Sequence, residues 1–441
     1  MTTYYCDFAW LGGATAVPGV IIDVTGERIV GVHQGARPGG STRLAGLTLP
    51  GVANTHSHAF HRILRGRTHA GSGSFWTWRE QMYAAAAQLT PDRYHRLARA
   101  TFGEMALAGI TAVGEFHYLH HGAGGRPYAD PNAMGEALVA AAAEVGVRIT
   151  LLDTCYLAGG IGVEPDDTQR RFSDGDPLAW AKRAAERDRF AGPTVRLGAA
   201  VHSVRAVAPE AMAVVAAWAG ERGAPIHCHV SEQPAENEQC RVAYGRTPTG
   251  LLADQGVLGD RFTAVHAIHV TDNDRALLGR HASTVCLCPT TERDLADGVA
   301  PAQSLRDAGA RLALGSDSHA VIDLFEEARA VELDERLESG GRGLHRSEDL
   351  LAAATGQGYA ALGWPDGGRI EVGALADFCT IRLDSVRTAG TTPAHVVDGV
   401  VFAATAADVT HVVVGGSVVV RDGCHIRLDV VAELERALSE S

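Results

Sequence analysis

The chain has 441 residues, of which 46% are hydrophobic and 21% charged, so it is long enough for a large core and too apolar for a disordered protein. Its formal net charge of −13, from 39 basic and 52 acidic residues, argues against nucleic acid or an anionic membrane as a partner. Eight scattered cysteines without a CxxC pair, an N-terminus unlike a signal peptide and no long apolar window predict a cytoplasmic protein.

Short β-hairpins are predicted near both ends of the chain. Residues 20–24 and 28–30 are rich in Val and Ile and flank a turn. Residues 412–414 and 418–420 flank Gly415-Gly416, and two glycines suit a tight turn with positive φ angles. We expect these two hairpins to belong to one small β-rich domain.

Between the hairpins, short apolar strands alternate with helices. Thr90-Pro91 is a typical helix start and Gly109 a typical end, after which a strand follows. Asp130-Pro131 and Gly146 repeat this pattern for the next helix. Eight strands are predicted in this region, at residues 52–56, 110–116, 147–153, 195–202, 225–229, 262–266, 283–288 and 311–317.

Strands separated by helices predict parallel pairing, and eight such units predict a closed barrel. We therefore predict an α/β protein in which residues 49–368 form a (β/α)8 TIM-like barrel. Residues 1–48 and 369–441 would together form a small β-sandwich domain. A doubly wound open sheet is the alternative, but no glycine fingerprint follows the first strand of the region.

Histidines and an aspartate stand at the ends of four predicted barrel strands. His56 and His58 end the first strand, and residues at i and i+2 of an extended chain point to the same side. His229 ends the fifth strand, His266 the sixth and Asp317 the eighth. Imidazole and carboxylate ligands suit Zn²⁺, and also Fe²⁺ or Mn²⁺. The carboxyl ends of parallel strands meet at one rim, so we predict a metal site there.

A single HxH pair is weak evidence in a chain with 20 histidines, because such residues also serve as hydrogen-bond donors in polar loops. The convergence of four strand ends favours the metal. His227 lies earlier in its strand and is predicted to be buried and structural. His61, His269 and His319 neighbour the cluster, and the sequence leaves their roles open.

The motifs that carry these residues resemble the mononuclear deaminase branch of the amidohydrolase family. They are LPGVANTHSH at 49–58, HVSE at 229–232, VHAIH at 265–269, GSDSH at 315–319 and EVGALADF at 371–378. Related enzymes with two metals use a carboxylated lysine at the end of the fourth strand. Residues 195–202 contain no lysine and Lys182, the only lysine of the sequence, lies before them, so the resemblance implies one metal.

The resemblance also implies a role for each residue of the cluster. The metal ligands would be His56, His58, His229 and Asp317, and a hydroxide on the metal would attack the substrate. Asp317 would also accept a proton, and His266 would contact the water or stabilise developing charge. Glu232 would protonate the leaving nitrogen, although a solvated loop carboxylate is the alternative for this residue.

A second set of motifs resembles the formimidoylglutamate deiminases within that branch. They are SFWTWREQMY at 74–83, HSVRAV at 202–207 and CPTTERDLADG at 288–298. This resemblance implies hydrolysis of N-formimino-L-glutamate to N-formyl-L-glutamate and ammonia in histidine degradation, by a homodimer. It implies that the two substrate carboxylates bind Arg79, Tyr118, His202 and Arg205.

Two residues that differ from related enzymes, and two alternative functions, bear on the substrate. His61 stands where Gln is usual in these enzymes, and Glu292 replaces an Asn found in several nucleobase deaminases. One alternative is a related deaminase or chlorohydrolase acting on a guanine-like, S-adenosylhomocysteine-like or triazine substrate; the arginines count against it. Another is a non-catalytic scaffold with this fold, which would not need Glu232, His266 and Asp317 together. Arg79 could also be an ordinary surface residue.

Overall fold

The computed structural model describes residues 1–37, 39–69 and 73–439. Four strands come first along the chain and belong to a sheet outside the barrel: β1 (Thr2–Ala9), β2 (Val17–Thr25), β3 (Arg28–His33) and β4 (Thr42–Pro50). The eight strands that follow are all parallel: β5 (Val52–Ser57), β6 (Ile110–His117), β7 (Arg148–Cys155), β8 (Val195–Val201), β9 (Ile226–Val230), β10 (Phe262–His266), β11 (Thr284–Leu287) and β12 (Arg311–Leu314).

Helices follow or separate these strands on the outside of the barrel. They are α1 (Phe75–Ala87), α2 (Pro91–Leu107), α3 (Ala133–Val145), α4 (Pro177–Ala185), α5 (Pro209–Arg222), α6 (Pro234–Tyr244), α7 (Pro248–Asp254), α8 (Asp272–Arg280), α9 (Pro289–Leu295), α10 (Ala302–Asp307), α11 (Leu324–Ser339), α12 (Ser347–Ala352) and α13 (Gly358–Ala361). A π-helical turn, Ala353–Gln357, joins the last two. Short 3-10 helices occur at Ala59–Leu64, Ala123–Gly125, Gln169–Phe172, Glu186–Phe190, Pro393–His395 and Ala406–Asp408.

The C-terminal part returns to the first sheet. It adds β13 (Phe378–Ile381), β14 (Val409–Val414), β15 (Ser417–Arg421) and β16 (Cys424–His425), with α14 (Val396–Ala403) between the first two and α15 (Val430–Ser439) at the end. The order in this sheet is β16-β15-β14-β13-β4-β1-β2-β3, and only β1 and β4 pair in parallel. Both predicted hairpins are confirmed, as β2–β3 and β14–β15.

The predicted fold class is confirmed: a parallel eight-stranded barrel accompanies a separate mixed sheet formed by both ends of the chain. All eight predicted barrel strands are present, although β12 ends at Leu314 and not at 317. Thr90 caps α2 as predicted, whereas α3 begins at Ala133, later than the predicted Asp130-Pro131 start. Gly146 ends α3 in the left-handed conformation, with φ 91°.

The barrel closes between β5 and β12. One bridge joins Ser57 to Asp317, and the Asp317 amide donates to the His56 carbonyl oxygen at 3.0 Å. Below this bridge, the Asn54 amide group donates to Ser316 Oγ at 2.7 Å and accepts from the Ser316 backbone N–H at 2.9 Å. We call the Asn54–Ser316 pair the seam contact. It links β5 to the segment after β12, where few backbone hydrogen bonds join the two ends of the barrel sheet.

A buried ion pair joins the barrel to the terminal sheet. Arg148, which begins β7, donates to both oxygens of Asp377 at 2.7 and 3.1 Å, and Tyr359 donates to the same carboxylate at 2.8 Å. The helix α15 packs on the barrel helix α2 through the Arg99–Glu433 ion pair. The predicted division into residues 1–48, 49–368 and 369–441 stays a prediction. No helix in the described part of the chain is long and apolar enough to cross a membrane.

Candidate active site

Four ligand-type side chains meet at the C-terminal rim of the barrel. His56 and His58 lie at the end of β5, His229 lies in β9, and Asp317 follows β12. Their ligand atoms all lie within 4.8 Å of one another, and all four residues are buried. The structure thus brings together the four predicted metal ligands, which come from distant parts of the sequence.

The distances between these atoms fit a tetrahedral metal site. His56 Nε2 lies 3.1 Å from His229 Nε2 and 3.3 Å from Asp317 Oδ1. His58 Nε2 lies 3.4 Å from each of the same two atoms. Metal–nitrogen bonds of about 2.0–2.1 Å in a tetrahedron place ligand atoms about 3.3–3.4 Å apart. The residues present therefore fit one divalent ion.

The second nitrogen of two imidazoles fixes their tautomers. His58 Nδ1 donates to the Phe116 carbonyl oxygen and His229 Nδ1 to that of His202, both at 3.0 Å. Each Nε2 atom is therefore left with a lone pair that faces the other ligands. Burial lowers the pKa of His58 to about 3 and also lowers that of His229, so both imidazoles are neutral, as metal binding requires.

A buried glutamate supports the loop that holds the two β5 ligands. Glu115, in β6, accepts from Ser57 Oγ at 2.6 Å and from the Ala59 backbone N–H at 2.7 Å. Burial raises the pKa of Glu115 to about 8. Its contacts lie on both sides of His58, so it restrains the backbone that carries this ligand.

The predicted acid and base groups lie beside the ligand cluster. His266 Nε2 is 3.7 Å from Glu232 Oε1 and 3.8 Å from Asp317 Oδ2, while its Nδ1 lies 3.2 Å from Glu292 Oε1. Burial opposes a charged imidazole, but the surrounding carboxylates, Glu232 foremost, outweigh it and raise the pKa of His266 to about 10. Burial raises the pKa of Glu232, which favours the protonated acid.

The predicted substrate-binding residues line one cavity of about 590 Å³ above this cluster. The cavity wall includes the ligand-type residues His58, His229 and Asp317 and the acid–base pair Glu232 and His266. It also includes all five predicted binding residues: His61, Arg79, Tyr118, His202 and Arg205. These residues come from α1 and from loops after β5, β6 and β8.

The two cavity arginines differ in their charge partners. Arg205 is buried, and its Nε lies 3.3 Å from Glu236 Oε2 while its Nη2 lies 3.7 Å from Glu232 Oε2. Arg79 packs its guanidinium over the Trp76 ring, 4.7 Å from the ring centroid, and makes no ion pair with any described residue. Among the residues that the structure describes, no carboxylate therefore neutralises the Arg79 cation in the cavity wall.

His61 and Tyr118 form a pair in the cavity wall. His61 Nε2 lies 3.0 Å from the Tyr118 hydroxyl, and the His61 ring packs 4.5 Å from that of His58. Both side chains are buried. The residue that departs from the usual Gln thus lies beside both a metal-type ligand and a predicted binding residue.

The structure separates the histidines whose roles the sequence left open. His227 is buried and directs Nε2 to the Ala361 carbonyl oxygen at 3.2 Å, as predicted for a structural residue. His269 donates through Nε2 to the Asp297 carbonyl oxygen at 2.9 Å. His319 lies between Ser316 Oγ at 2.9 Å and Ser57 Oγ at 3.2 Å, within the closure of the barrel. Neither His269 nor His319 lines the cavity.

Three carboxylates around the site were not predicted as site residues, although Glu292 was noted for its difference from nucleobase deaminases. Glu115, Glu236 and the His266 partner Glu292 are buried charged groups, and burial cannot be inferred from an isolated Glu in a strand or first helical turn. The proximity of Glu292 to His266 depends on the packing of α9 beside the end of β10. An acidic residue four positions after Glu232 is the only pattern that could have indicated Glu236.

Three imidazoles and a carboxylate meet at the C-terminal rim of a parallel barrel, beside a cavity and a buried glutamate. This arrangement is typical of a metal-dependent hydrolase with a (β/α)8 barrel. The model of the amidohydrolase family matches residues 47–419, and the chain belongs to this family. It is an amidohydrolase-type deaminase, which hydrolyses a C–N bond.

Individual relatives share most of their length with this chain. A formimidoylglutamate deiminase from Pseudomonas aeruginosa is 37% identical over 407 residues, which cover 89% of each chain. A 5-methylthioadenosine/S-adenosylhomocysteine deaminase from Natronomonas pharaonis is 30% identical over 401 residues, covering 89% of this chain and 86% of the relative. The crystal structure of an amidohydrolase from Brucella melitensis superposes with a TM-score of 0.92 at 32% identity, covering 100% of this chain and 99% of that one.

Proposed function

We propose that the protein hydrolyses N-formimino-L-glutamate to N-formyl-L-glutamate and ammonia. The observation that carries this proposal is the unneutralised guanidinium of Arg79 in the cavity above the ligand cluster. An acidic protein, with net charge −13, needs local positive charge to hold a substrate with two carboxylates. The 37% identity to a formimidoylglutamate deiminase supports the same substrate.

We propose that His56, His58, His229 and Asp317 hold one divalent metal, with Zn²⁺ as the best match and Fe²⁺ or Mn²⁺ as alternatives. A divalent ion in such a site lowers the pKa of water and so supplies a nucleophile at neutral pH. Related enzymes with two metals bind them through a carboxylated lysine in the fourth barrel strand. That strand, β8, has no lysine here, and Lys182, the only lysine of the sequence, lies in α4, so we propose a single ion.

The remaining groups would manage protons and charge. Asp317, whose Oδ2 lies 3.8 Å from His266 Nε2, would accept a proton from the attacking water. His266 would donate a hydrogen bond to the oxygen of the attacking water, as negative charge develops on that oxygen in the tetrahedral adduct. Glu232 would deliver a proton to the leaving nitrogen, so that ammonia departs and the C–N bond breaks without forming an amide anion.

The two carboxylates of the substrate would bind the other side of the cavity. Arg79 and Arg205 can each bind a carboxylate with two parallel hydrogen bonds. Tyr118 and His202, whose rings lie 5.6 Å apart, would complete the binding site between them. His61 would orient the Tyr118 hydroxyl or contact the substrate directly.

A second candidate is deamination of an adenosine-like nucleoside such as S-adenosylhomocysteine. The 30% identity to a 5-methylthioadenosine/S-adenosylhomocysteine deaminase and the aromatic residues Trp78, Tyr118 and Tyr156 in the cavity wall favour it. Stacking on these rings would hold a base. It gives no role to the free charge of Arg79, and we therefore place it second.

Ammonia release by the purified, Zn-loaded protein tests the proposal. N-formimino-L-glutamate is compared with guanine, cytosine, S-adenosylhomocysteine and a chlorotriazine, for which chloride release is followed. Turnover of the formimino compound alone would establish the proposed reaction. Turnover of a ring substrate alone would overturn the proposed substrate, and inactivity on every compound would favour the non-catalytic alternative.

The Arg79→Ala variant tests whether the free cation binds the substrate. We expect KM for N-formimino-L-glutamate to rise about tenfold or more, because a charge-assisted, bidentate contact is lost. The control is Arg246→Ala, which removes an exposed arginine paired with Asp254 and changes the net charge equally. An unchanged KM in Arg79→Ala would contradict the assignment.

We further propose a cytoplasmic homodimer that acts in histidine degradation. All eight cysteines are free and seven of them are buried, which supports a reducing compartment. The proposed product, an N-formyl amino acid, suits a pathway that continues by hydrolysis of the formyl group. The dimer is tested by the mass of the protein in solution.

A further inference from the structure

Glu236 lies behind the cavity and contacts two parts of the active site. It is in the first turn of α6 and is fully buried. Its Oε1 accepts from the Ser231 backbone N–H at 3.1 Å, and its Oε2 lies 3.3 Å from Arg205 Nε. Glu236 does not itself line the cavity, so it acts on the site through these two neighbours.

The first contact holds the turn that presents Glu232. Ser231 precedes Glu232 and has a φ of 52°, in the left-handed region that non-glycine residues rarely occupy. The Ser231 carbonyl oxygen accepts from the His269 backbone N–H at 2.9 Å, so both backbone groups of this residue are bonded. A left-handed residue persists where its surroundings over-determine its conformation, and Glu236 supplies half of that restraint.

The second contact is an ion pair that places the Glu236 carboxylate 3.3 Å from Arg205 Nε, without the geometry of a hydrogen bond. Arg205 is buried between two carboxylates, with Glu236 on Nε and Glu232 near Nη2 at 3.7 Å. Its guanidinium also packs over the Phe75 ring, 5.6 Å from the centroid. If the Glu236 charge were removed, Glu232 would be the nearest anion to Arg205. A buried arginine without an anionic partner is strongly destabilising. Arg205 would then turn toward the acid and away from the substrate.

We propose that Glu236 is a positioning residue, which holds Arg205 toward the substrate carboxylate and keeps it from pairing with Glu232. The inference rests on the proposed function, because it takes the ligand of Arg205 to be a substrate carboxylate. Binding of the anionic substrate by Arg205 and delivery of a proton by Glu232 would therefore both depend on Glu236.

The Glu236→Gln variant of the Zn-loaded enzyme tests this role. Gln keeps an oxygen for the Ser231 N–H but removes the charge opposite Arg205. We expect KM for N-formimino-L-glutamate to rise about tenfold, and kcat to fall because Arg205 would then pair with Glu232 and favour its ionised form. We expect the Kd of N-formyl-L-glutamate, measured by calorimetry, to rise in parallel with KM. In Glu236→Ala, where the Ser231 contact is also lost, kcat should fall further.

The control is Glu332→Gln, because Glu332, like Glu236, is a buried glutamate that accepts from the backbone and forms an ion pair with an arginine. It accepts from Gly343 and His345 N–H at 2.7 Å and from Arg336 Nε at 2.5 Å, and lies in α11 away from the cavity. An equal rise of KM in this control would overturn the proposal, since the effect would then be a general loss of stability.

A double-mutant cycle keeps the test independent of any loss of stability. Arg205→Lys removes the Nε that faces Glu236, so Glu236→Gln should add little to KM in that background. Additive effects would overturn the proposal, and so would an unchanged or lower KM in the Glu236→Gln single variant. A wild-type enzyme that fails on this substrate would overturn the proposed function and this inference together. An active wild type with an equally active variant would overturn the inference alone.

Discussion

At Glu232, the surroundings of one carboxyl group favour its role as an acid. Burial raises its pKa, and the leaving nitrogen of an amidine needs a proton donor at neutral pH. The sequence shows only an HxxE spacing from His229, which a solvated loop carboxylate would share. Its burial beside His266 supports the catalytic alternative, which stays a proposal.

We expect Glu232→Gln to lower kcat by about 10²–10⁴-fold, the contribution typical of general acid catalysis. The metal content should stay unchanged, because Glu232 does not belong to the ligand cluster. Ammonia release and metal analysis of the same preparation measure both. Glu210→Gln, at an exposed position in α5, is the control. Retained activity in Glu232→Gln would remove this residue from the mechanism.

The strands and helices hold the site through buried polar contacts between elements that are distant in sequence. The seam contact of Asn54 and Ser316 links β5 to the chain that follows β12, and the ligands from both strands lie directly above it. Two strands along the sheet from β5, β7 attaches to α4 through the carboxylate of Asp153. Each contact gives a prediction about stability.

We expect Asn54→Ala to destabilise the protein by about 1–3 kcal/mol, because it leaves the buried Ser316 N–H without an acceptor. It should also weaken metal retention against a chelator, since the seam aligns the ligands of β5 and Asp317. Urea unfolding and metal competition measure the two effects. Asn132→Ala removes a buried asparagine that bonds Arg183 and should lower stability without affecting the metal. Equal metal loss in both variants would contradict this role of the seam.

Asp153 gives a prediction about pH. It accepts from Arg183 Nη1 at 2.8 Å, from Trp180 Nε1 at 2.8 Å and lies 3.1 Å from Arg187 Nε. Burial disfavours the ionised carboxylate, but the two guanidinium groups outweigh it and hold the pKa of Asp153 well below its ordinary value. The folded pKa is depressed, so the stabilisation is present above the unfolded pKa of about 3.9 and is lost as pH falls below it.

We expect Asp153→Asn to cost about 3–5 kcal/mol at pH 7, because it removes the carboxylate beside buried Arg187 and leaves Arg183 with Asp174 as its anionic partner. The difference in unfolding free energy between wild type and variant should shrink as pH falls from 5 to about 3. Denaturant unfolding over this pH series measures it. A difference that does not depend on pH would contradict the assigned charge of Asp153.

In the whole molecule, the predicted metal ligands connect β5 and β9 with the segment that follows β12, where the barrel closes. His56 belongs to β5 and His58 follows it, His229 belongs to β9, and Asp317 follows β12. An ion bound to all four would therefore resist separation of these strands. A ligand that binds only the folded state stabilises it in proportion to its affinity and concentration.

We expect the chelated protein to unfold at a lower temperature than the protein loaded with Zn²⁺. A metal at about 100 times its dissociation constant adds about 2.7 kcal/mol to the free energy of unfolding. Calorimetry of chelated and reloaded protein measures this, with Ca²⁺ as a control ion that prefers more oxygen ligands. Equal unfolding temperatures, with no zinc retained, would contradict the metal site.

Local patterns in the sequence were sufficient to predict the barrel, the two terminal hairpins and the four ligand-type residues. Strand and helix periodicity is a local property, and parallel strands necessarily bring their carboxyl ends to one rim. Helix bounds were less predictable: α3 starts at Ala133, and the Asp130 carboxylate accepts from the Asn132 backbone N–H in the turn before the helix. The resemblance to known motifs predicted the substrate-binding residues, and their side chains line one cavity.

Tertiary structure alone decided which charges are neutralised and which are free. Nothing in the sequence distinguishes the charge partners of Arg79 from those of Arg205, yet only Arg205 lies between two glutamates. Nor does the sequence show that Glu236, Glu115 and Glu292 are buried supports, or that Asn54 and Ser316 close the barrel. Ion pairing and burial depend on distances across the fold, and side chains far apart in the sequence reach those distances only when the strands have packed. The sequence by itself determined the barrel and its ligand-type residues, because strand pattern and strand-end position are local properties.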